Sequence, residues 1–242
     1  IINKGQSVAN IASHLRDVNL IESHIAFILA AKFKGFHDQI KFGEYMIPKS
    51  ASMKDIIDAL VKGVSVQNKI TIPEGLSINS VIYLINNDKR ISGDLVNFSD
   101  EGTIAPDTYS FDFSIDKKAL VLKMRTEQKK ILEGAWKNRD PDLPLKNTSE
   151  LLILASIVEK EAGNEDDKRK VASVFLNRLK KKMRLQSDPT VVYSLTKGRW
   201  LLDRELTKSD LKTNSPFNTY KIGGLPPTPI CNPGKSSILA VA

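Results

Sequence analysis

The amino-acid sequence predicts an α+β fold, with a small βααβ module at residues 1–66 and a mixed α/β domain at residues 67–242. Its 242 residues are 41% hydrophobic and 26% charged, which is ordinary for a globular chain and excludes a collagen-like or disordered main structure. In the first half, apolar residues at helical spacing alternate with short extended pieces and glycine turns. Residues 151–158 present apolar side chains on every face of a helix, which indicates a helix buried all round.

The first module is predicted from two serine caps and one extended piece. Ser7 precedes a helix with apolar residues on one face, and a second helix is expected at about residues 22–32. Residues 42–47 are predicted to form a strand that ends at a proline. Ser52 then begins a third helix, which Gly63 ends.

The second domain is divided into an α/β part at residues 67–146 and a part at residues 147–242 that carries the buried helix. Residues 72–78 repeat the opening order of strand, glycine turn and serine cap, which predicts another helix. A long helix is expected at about residues 117–136. The polar, proline-containing segment at residues 138–147 is predicted to be a linker.

The charge balance and the scarce residue types limit the chemistry. There are 36 Lys and Arg against 28 Asp and Glu, and a net charge of +8 favours an anionic partner. The single Cys231 excludes an internal disulfide, and no histidine follows His37, so a Ser-His-Asp triad in the second domain is excluded. No apolar run reaches the roughly 18 residues of a membrane span. Because the chain opens on Ile1 without a methionine, we expect it to be a trimmed piece without its N-terminal segment.

Two carboxylates follow the apolar run directly. Glu159 and Glu161 stand at the end of the helix, where desolvation and the helix dipole both favour the protonated acid. A carboxyl group that keeps its proton near neutral pH suits general acid catalysis. The two side chains are about 200° apart around a helix, so one is expected to be catalytic and the other to lie at the surface or in an ion pair. The alternative is that both are solvated at an ordinary helix end.

Two later segments contain further polar candidates. After a helix at about residues 166–183, Asp188 is predicted as an N-cap with Pro189 at the first helical position, and this structural role competes with a catalytic one. In the loop that follows, Asn218 and Tyr220 offer an amide and an aromatic ring that suit a sugar. The alternative for this loop is a turn-rich connector.

Several ordered blocks together resemble the endolytic murein transglycosylases, the YceG-like family. The resemblance covers about residues 1–236 and is carried by residues 155–161, 171–179, 183–193, 218–220 and 224–227, with an earlier turn at 106–109. It implies that residues 1–66 are a LysM-like, glycan-binding module and that residues 67–242 are the catalytic domain. It also implies a single-pass bacterial inner-membrane protein that faces the periplasm through an anchor outside this sequence.

The resemblance implies an enzyme that cleaves the MurNAc–GlcNAc bond of nascent peptidoglycan and leaves 1,6-anhydroMurNAc ends, without cofactor or metal. Glu161 matches the family's catalytic glutamate, the general acid and then base. Gln186, Ser187 and Asp188 match its second motif and are candidates for the groove, and Asn218 and Tyr220 are candidates for saccharide contacts.

Peptidoglycan strands are the expected partner, with penicillin-binding synthases as further partners and no nucleic acid. The alternative reading is a non-catalytic module that binds glycan or acts as a scaffold for the synthases.

Overall fold

The computed structural model describes residues 1–3, 5–33, 35–36, 38–63, 66–112 and 115–242. The chain divides into two compact units. The N-terminal unit comprises residues 1–70, 90–92 and 109–116, and the remaining residues, 71–89, 93–108 and 117–242, form what we call the glutamate-helix unit.

The N-terminal unit is built on serine-capped helices. Its helices are α1 (Val8–Asp17), α2 (His24–Phe33) and α3 (Met53–Lys62). The predicted caps are confirmed: the Ser7 side chain accepts from the backbone N–H of Asn10, and Ser52 forms a capping box with Asp55. Apolar faces of the three helices meet in one core, which includes the fully buried Phe27.

The strand predicted at residues 42–47 is reduced to a single bridge, in which Gly43 pairs antiparallel with Ile2. The neighbouring carbonyl of Glu44 accepts from the N–H of Val66. The order bridge, α1, α2, bridge agrees with the expected βααβ arrangement. That this unit is a LysM-like glycan binder stays a prediction.

Two short strands form the only regular sheet of the described residues. β1 (Asn68–Thr71) pairs with β2 (Thr108–Phe111), and the two strands are separated along the chain by α4 (Ile78–Asn87). Side chains alternate between buried and exposed along β2, so Tyr109 and Phe111 are buried.

The glutamate-helix unit is a helical bundle around one central helix. After α4 it contains α5 (Lys117–Lys137), α6 (Thr148–Glu161), α7 (Glu165–Lys180), α8 (Asp188–Thr196), a 3-10 turn (Asp210–Lys212) and α9 (Lys235–Val241). Every residue of α6 from 151 to 158 is buried, and α6 packs against α5, α7, α8 and α9. The prediction of a helix buried all round is therefore confirmed.

This burial makes α6 a rigid support for whatever stands at its end. Leu154 and Ile157 are fully buried, and truncation of either to alanine would cost about 2–5 kcal/mol. Asn147 caps the helix by accepting from the N–H of Glu150 at 2.9 Å. Thr148 and Ser149, which also have side chains suited to capping, lie inside the first turn.

Candidate active site

The end of α6 presents two glutamates to different surroundings. Glu159 and Glu161 both lie in the last turn, and the helix ends where Ala162 adopts an extended conformation. Glu159 points inward, and its side chain is 8% exposed, whereas Glu161 is exposed. The helical geometry thus separates the two carboxylates, as the sequence predicted.

Glu159 is held by three donors. Its Oε2 accepts from the Ser237 hydroxyl at 2.7 Å and from the backbone N–H of Gly234 at 2.9 Å, both at the start of α9. The ammonium of Lys168 lies 3.6 Å from the same oxygen. These three contacts hold the Glu159 carboxylate in place and occupy its inward-facing oxygen, so Glu159 is not open to a ligand.

Lys168 is a buried cation that joins three segments of the unit. Its side chain is 6% exposed, and its Nζ lies 2.6 Å from Glu165 and 3.1 Å from Glu74 as well as near Glu159. Burial lowers the pKa of Lys168, but the contacts with Glu165, Glu74 and Glu159 outweigh it and raise the pKa. The cluster therefore ties the end of α6 to α7 and to the segment before α4.

Gly234 completes this cluster for a steric reason. A Cβ built on Gly234 would overlap the carboxylate of Glu74. The φ of Gly234 is −69°, which any residue adopts, so close approach of the two groups is what requires glycine here.

Glu161 has no hydrogen bond or ion pair with the described part of the chain. The expectation that both carboxylates face a desolvating environment is therefore wrong for Glu161: burial of α6 stops at Val158, and Glu161 projects beyond the packed region. It is the carboxylate of the pair that a ligand can reach.

Asp188 is not the N-cap that the sequence predicted. Ser187 takes the N-cap position, Asp188 is the first helical residue and Pro189 the second, so α8 starts one residue earlier than expected. The carboxylate of Asp188 instead accepts from the hydroxyl of Tyr220 at 2.6 Å. This leaves Asp188 available at the surface of the site.

Tyr220 connects Asp188 with Glu161 electrostatically. The hydrogen bond to Asp188, burial and the charges of Asp188 and Glu161 together raise the pKa of Tyr220 to about 12. Because the charge of Glu161 acts on this hydroxyl, the structure brings Glu161, Asp188 and Tyr220 into one neighbourhood. All three of these residues were singled out from the sequence.

Gln186 and Ser187 lie directly before α8. Gln186 is exposed and has a φ of +53°, a left-handed conformation that is unfavourable for a non-glycine residue. Asn19, Lys182 and Lys197 share this conformation but follow helix ends, where it is a common cap, and Gln186 does not. Ser187 is fully buried, and its hydroxyl oxygen has no partner among the described residues.

Asn218 does not reach the site. It is fully buried, and its amide donates to the carbonyls of Leu211 (3.1 Å) and Thr213 (2.7 Å), while its oxygen accepts from the N–H of Tyr220 (3.0 Å). The whole amide is used to shape the loop, so its expected contact with a saccharide does not fit the structure. Through that last bond Asn218 holds the backbone of Tyr220.

Glu101 was not singled out from the sequence. It is buried, and its carboxylate accepts from the N–H of Ile78 at 2.7 Å, from the hydroxyl of Tyr193 at 3.2 Å and from the amide of Asn232 at 3.4 Å. Burial raises the pKa of Glu101 to about 7 despite these donors. It stands in an irregular segment without periodicity, so the sequence contains no signal for its burial.

Relatives of the chain are found among cell-wall enzymes. A model of the YceG-like family matches residues 1–242. The chain is 33% identical to the endolytic murein transglycosylase of Bacillus subtilis over 267 residues, covering 98% of this chain and 72% of that protein. It is 28% identical to the endolytic murein transglycosylase of Streptococcus pneumoniae, covering 98% of this chain and 50% of that protein, so it spans about half the length of the streptococcal relative.

A solved structure agrees with these matches. The crystal structure of a YceG-like protein from Listeria monocytogenes superposes with a TM-score of 0.56 at 27% identity, covering 99% of this chain and 88% of that one. The curated relatives are enzymes of the lytic transglycosylase class, which confirms the enzyme class expected from the sequence. The chain is therefore a member of the YceG-like family.

Proposed function

We propose that this protein is an endolytic peptidoglycan lytic transglycosylase that cleaves the MurNAc–GlcNAc bond of nascent strands, with Glu161 as general acid and then base. The observation that carries the proposal is the contrast at the end of α6. Glu159 is held by Lys168 and the start of α9, whereas Glu161 has no partner among the described residues and lies near Asp188 and Tyr220. Glu161 also occupies the position of the family's catalytic glutamate in the motif resemblance.

In the first step, the protonated Glu161 donates its proton to the glycosidic oxygen as the C1–O bond breaks. The Glu161 carboxylate then accepts the proton of the C6 hydroxyl as that oxygen forms a bond to C1, which restores the acid. The attack is intramolecular, so no water is consumed and no second carboxylate is needed to activate one. The product ends in 1,6-anhydroMurNAc.

Two features support this role for Glu161. The bound glycan would cover its exposed carboxylate and exclude water from the reacting atoms. The rigidity of α6 holds the acid in place while the substrate moves along the groove.

The remaining parts of the proposal concern the cell. We place the protein at the inner membrane facing the periplasm, anchored through a segment outside this sequence and working beside the penicillin-binding synthases. The N-terminal unit would hold the glycan as a LysM-like module. Within the described ranges, no helix combines the length and the apolar composition needed to cross a bilayer.

Digestion of purified peptidoglycan by wild type, Glu161→Gln and Glu159→Gln, read by mass spectrometry, tests the proposal. We expect anhydro-muropeptides from wild type and none from Glu161→Gln, whose thermal unfolding should match wild type because the side chain has no partner to lose. Glu159→Gln should lower the melting temperature, since it weakens the Lys168 cluster. Full activity of Glu161→Gln would refute the assignment.

The products also distinguish the reaction class. Reducing ends in place of anhydro ends would mean hydrolysis, and Asp188 would then be the candidate base. Binding of glycan without any product, in this chain and in a longer one, would favour the non-catalytic alternative.

A further inference from the structure

A pocket with a volume of about 380 Å³ opens beside the end of α6. Helix α8 forms one wall and the segment around the start of α4 forms a second. Residues 198 and 200–202 form a third. Most of the side chains that line it are apolar, among them Leu76, Val192 and Ile230. The pocket therefore favours a ligand that brings methyl or methylene groups.

The third wall exposes its apolar side chains to solvent. Trp200 is 58% exposed and Leu201 is 92% exposed, although both line the pocket. Large apolar side chains that stay exposed beside a concave apolar wall are typical of a binding site that a ligand covers. The indole of Trp200 also offers a flat face for stacking.

The polar groups of the pocket differ in how many hydrogen-bond or ion-pair partners they already have within the protein. Ser77 donates to a backbone carbonyl at 2.6 Å, Thr196 does so at 3.0 Å, and Asp188 holds the hydroxyl of Tyr220. The ammonium of Lys160, by contrast, makes one long hydrogen bond of 3.4 Å and forms no ion pair with the described residues. Lys160 is therefore the group of this pocket with free donors for an anionic ligand.

The pocket adjoins the candidate acid. Lys160 directly precedes Glu161, and the Asp188 that lines the pocket holds the Tyr220 hydroxyl on which the charge of Glu161 acts. The pocket and the candidate acid are therefore neighbours, so one extended ligand can reach both.

We propose that this pocket binds the acyl-peptide substituent of the glycan strand, with Lys160 pairing one of its carboxylates and the apolar walls contacting its methyl groups. This inference rests on the proposed function. In peptidoglycan the substituent is the part that combines a carboxylate with short apolar side chains, whereas the sugar rings carry neither in that combination. Lys160 would then make the enzyme selective for strands that still carry peptides.

The test compares three preparations of the same un-crosslinked glycan strands: intact, stripped of peptides by an amidase, and intact with the peptide carboxylates converted to amides. Wild type should cleave intact strands with a several-fold higher kcat/KM than either other preparation. Lys160→Met keeps the aliphatic stem and removes the charge, so it should raise KM for intact strands about fivefold and leave stripped strands unaffected. Lys160→Arg should keep the preference.

Lys180→Met, an exposed lysine at the end of α7, is the matched control and should change nothing. Equal kcat/KM of wild type on intact and stripped strands would overturn the inference, as would an equal effect of Lys160→Met on both. If wild type cleaves none of the strands, the proposed function has failed. In that case, equilibrium binding of the labelled strands to the same variants tests the pocket. Intact strands should then bind wild type more tightly than stripped or amidated strands do.

Discussion

Replacement of Glu101 by glutamine is expected to remove a pH dependence of stability from this protein. Glu101 is buried and has a pKa of about 7 in the folded chain, compared with an ordinary value of 4.5. The folded state therefore binds this proton more tightly than the unfolded state does. The contribution of Glu101 to the free energy of unfolding is fully present below pH 4.5. It falls as the pH rises from 4.5 to 7 and is constant above that range.

The difference between the two pKa values corresponds to about 3 kcal/mol. Glutamine has the shape of the protonated acid and can still accept from the N–H of Ile78, so the variant and wild type should be similarly stable at pH 4. At pH 8 the variant should be the more stable by about 3 kcal/mol, because wild type then holds a buried charge.

Urea unfolding followed by far-UV circular dichroism between pH 4 and pH 8 measures this difference. Glu133→Gln on α5, where the carboxylate is 63% exposed, controls for the loss of one negative charge. A stability difference between wild type and Glu101→Gln that stays constant across this pH range would refute the reasoning. It would mean that Glu101 keeps its charge in the fold.

Two further predictions concern the support of the site. Lys168→Met leaves Glu159 buried without a counter-ion, so we expect a loss of about 3–5 kcal/mol in unfolding free energy and reduced glycan cleavage. Lys170→Met, on the exposed side of α7, is the control and should change neither. An unaltered melting temperature for Lys168→Met would contradict this prediction. Gln186→Gly relieves the strain of a left-handed backbone conformation, so the stability should stay within about 1 kcal/mol of wild type. If the Gln186 side chain contacts glycan, the variant should have a lower kcat/KM, whereas Lys182→Gly, at a residue of nearly the same φ, should not. Full activity of Gln186→Gly would show that Gln186 is not a groove residue.

Local chemistry made several elements predictable. The side chains of Ser7, Ser52 and Ser77 each accept from the N–H of the residue three positions later, so this contact depends on a short local segment alone. The apolar composition of α6 likewise allows no surface face, so its burial follows directly from the pattern. Boundaries were less certain: α8 begins one residue before the expected start, because Ser187 and not Asp188 takes the cap position.

The candidate site could be predicted only in part. The motif resemblance placed Glu161, Asp188 and Tyr220 in one site, and the structure brings these three together. It could not exclude Asn218, whose amide is consumed by backbone carbonyls of its own loop. Nor could it find Glu101, since the groups that bury that carboxylate come from distant parts of the chain.

The sequence and the tertiary structure each determine a different part of the choice between Glu159 and Glu161. Periodicity alone establishes that two carboxylates follow a buried helix and point in different directions, because helix geometry is local. Which of them is neutralised depends on Lys168 in α7 and on Gly234 and Ser237 at α9, residues 9 to 78 positions away along the chain. Charge pairing acts through space, so only the packing of these helices decides which glutamate is left open to a substrate.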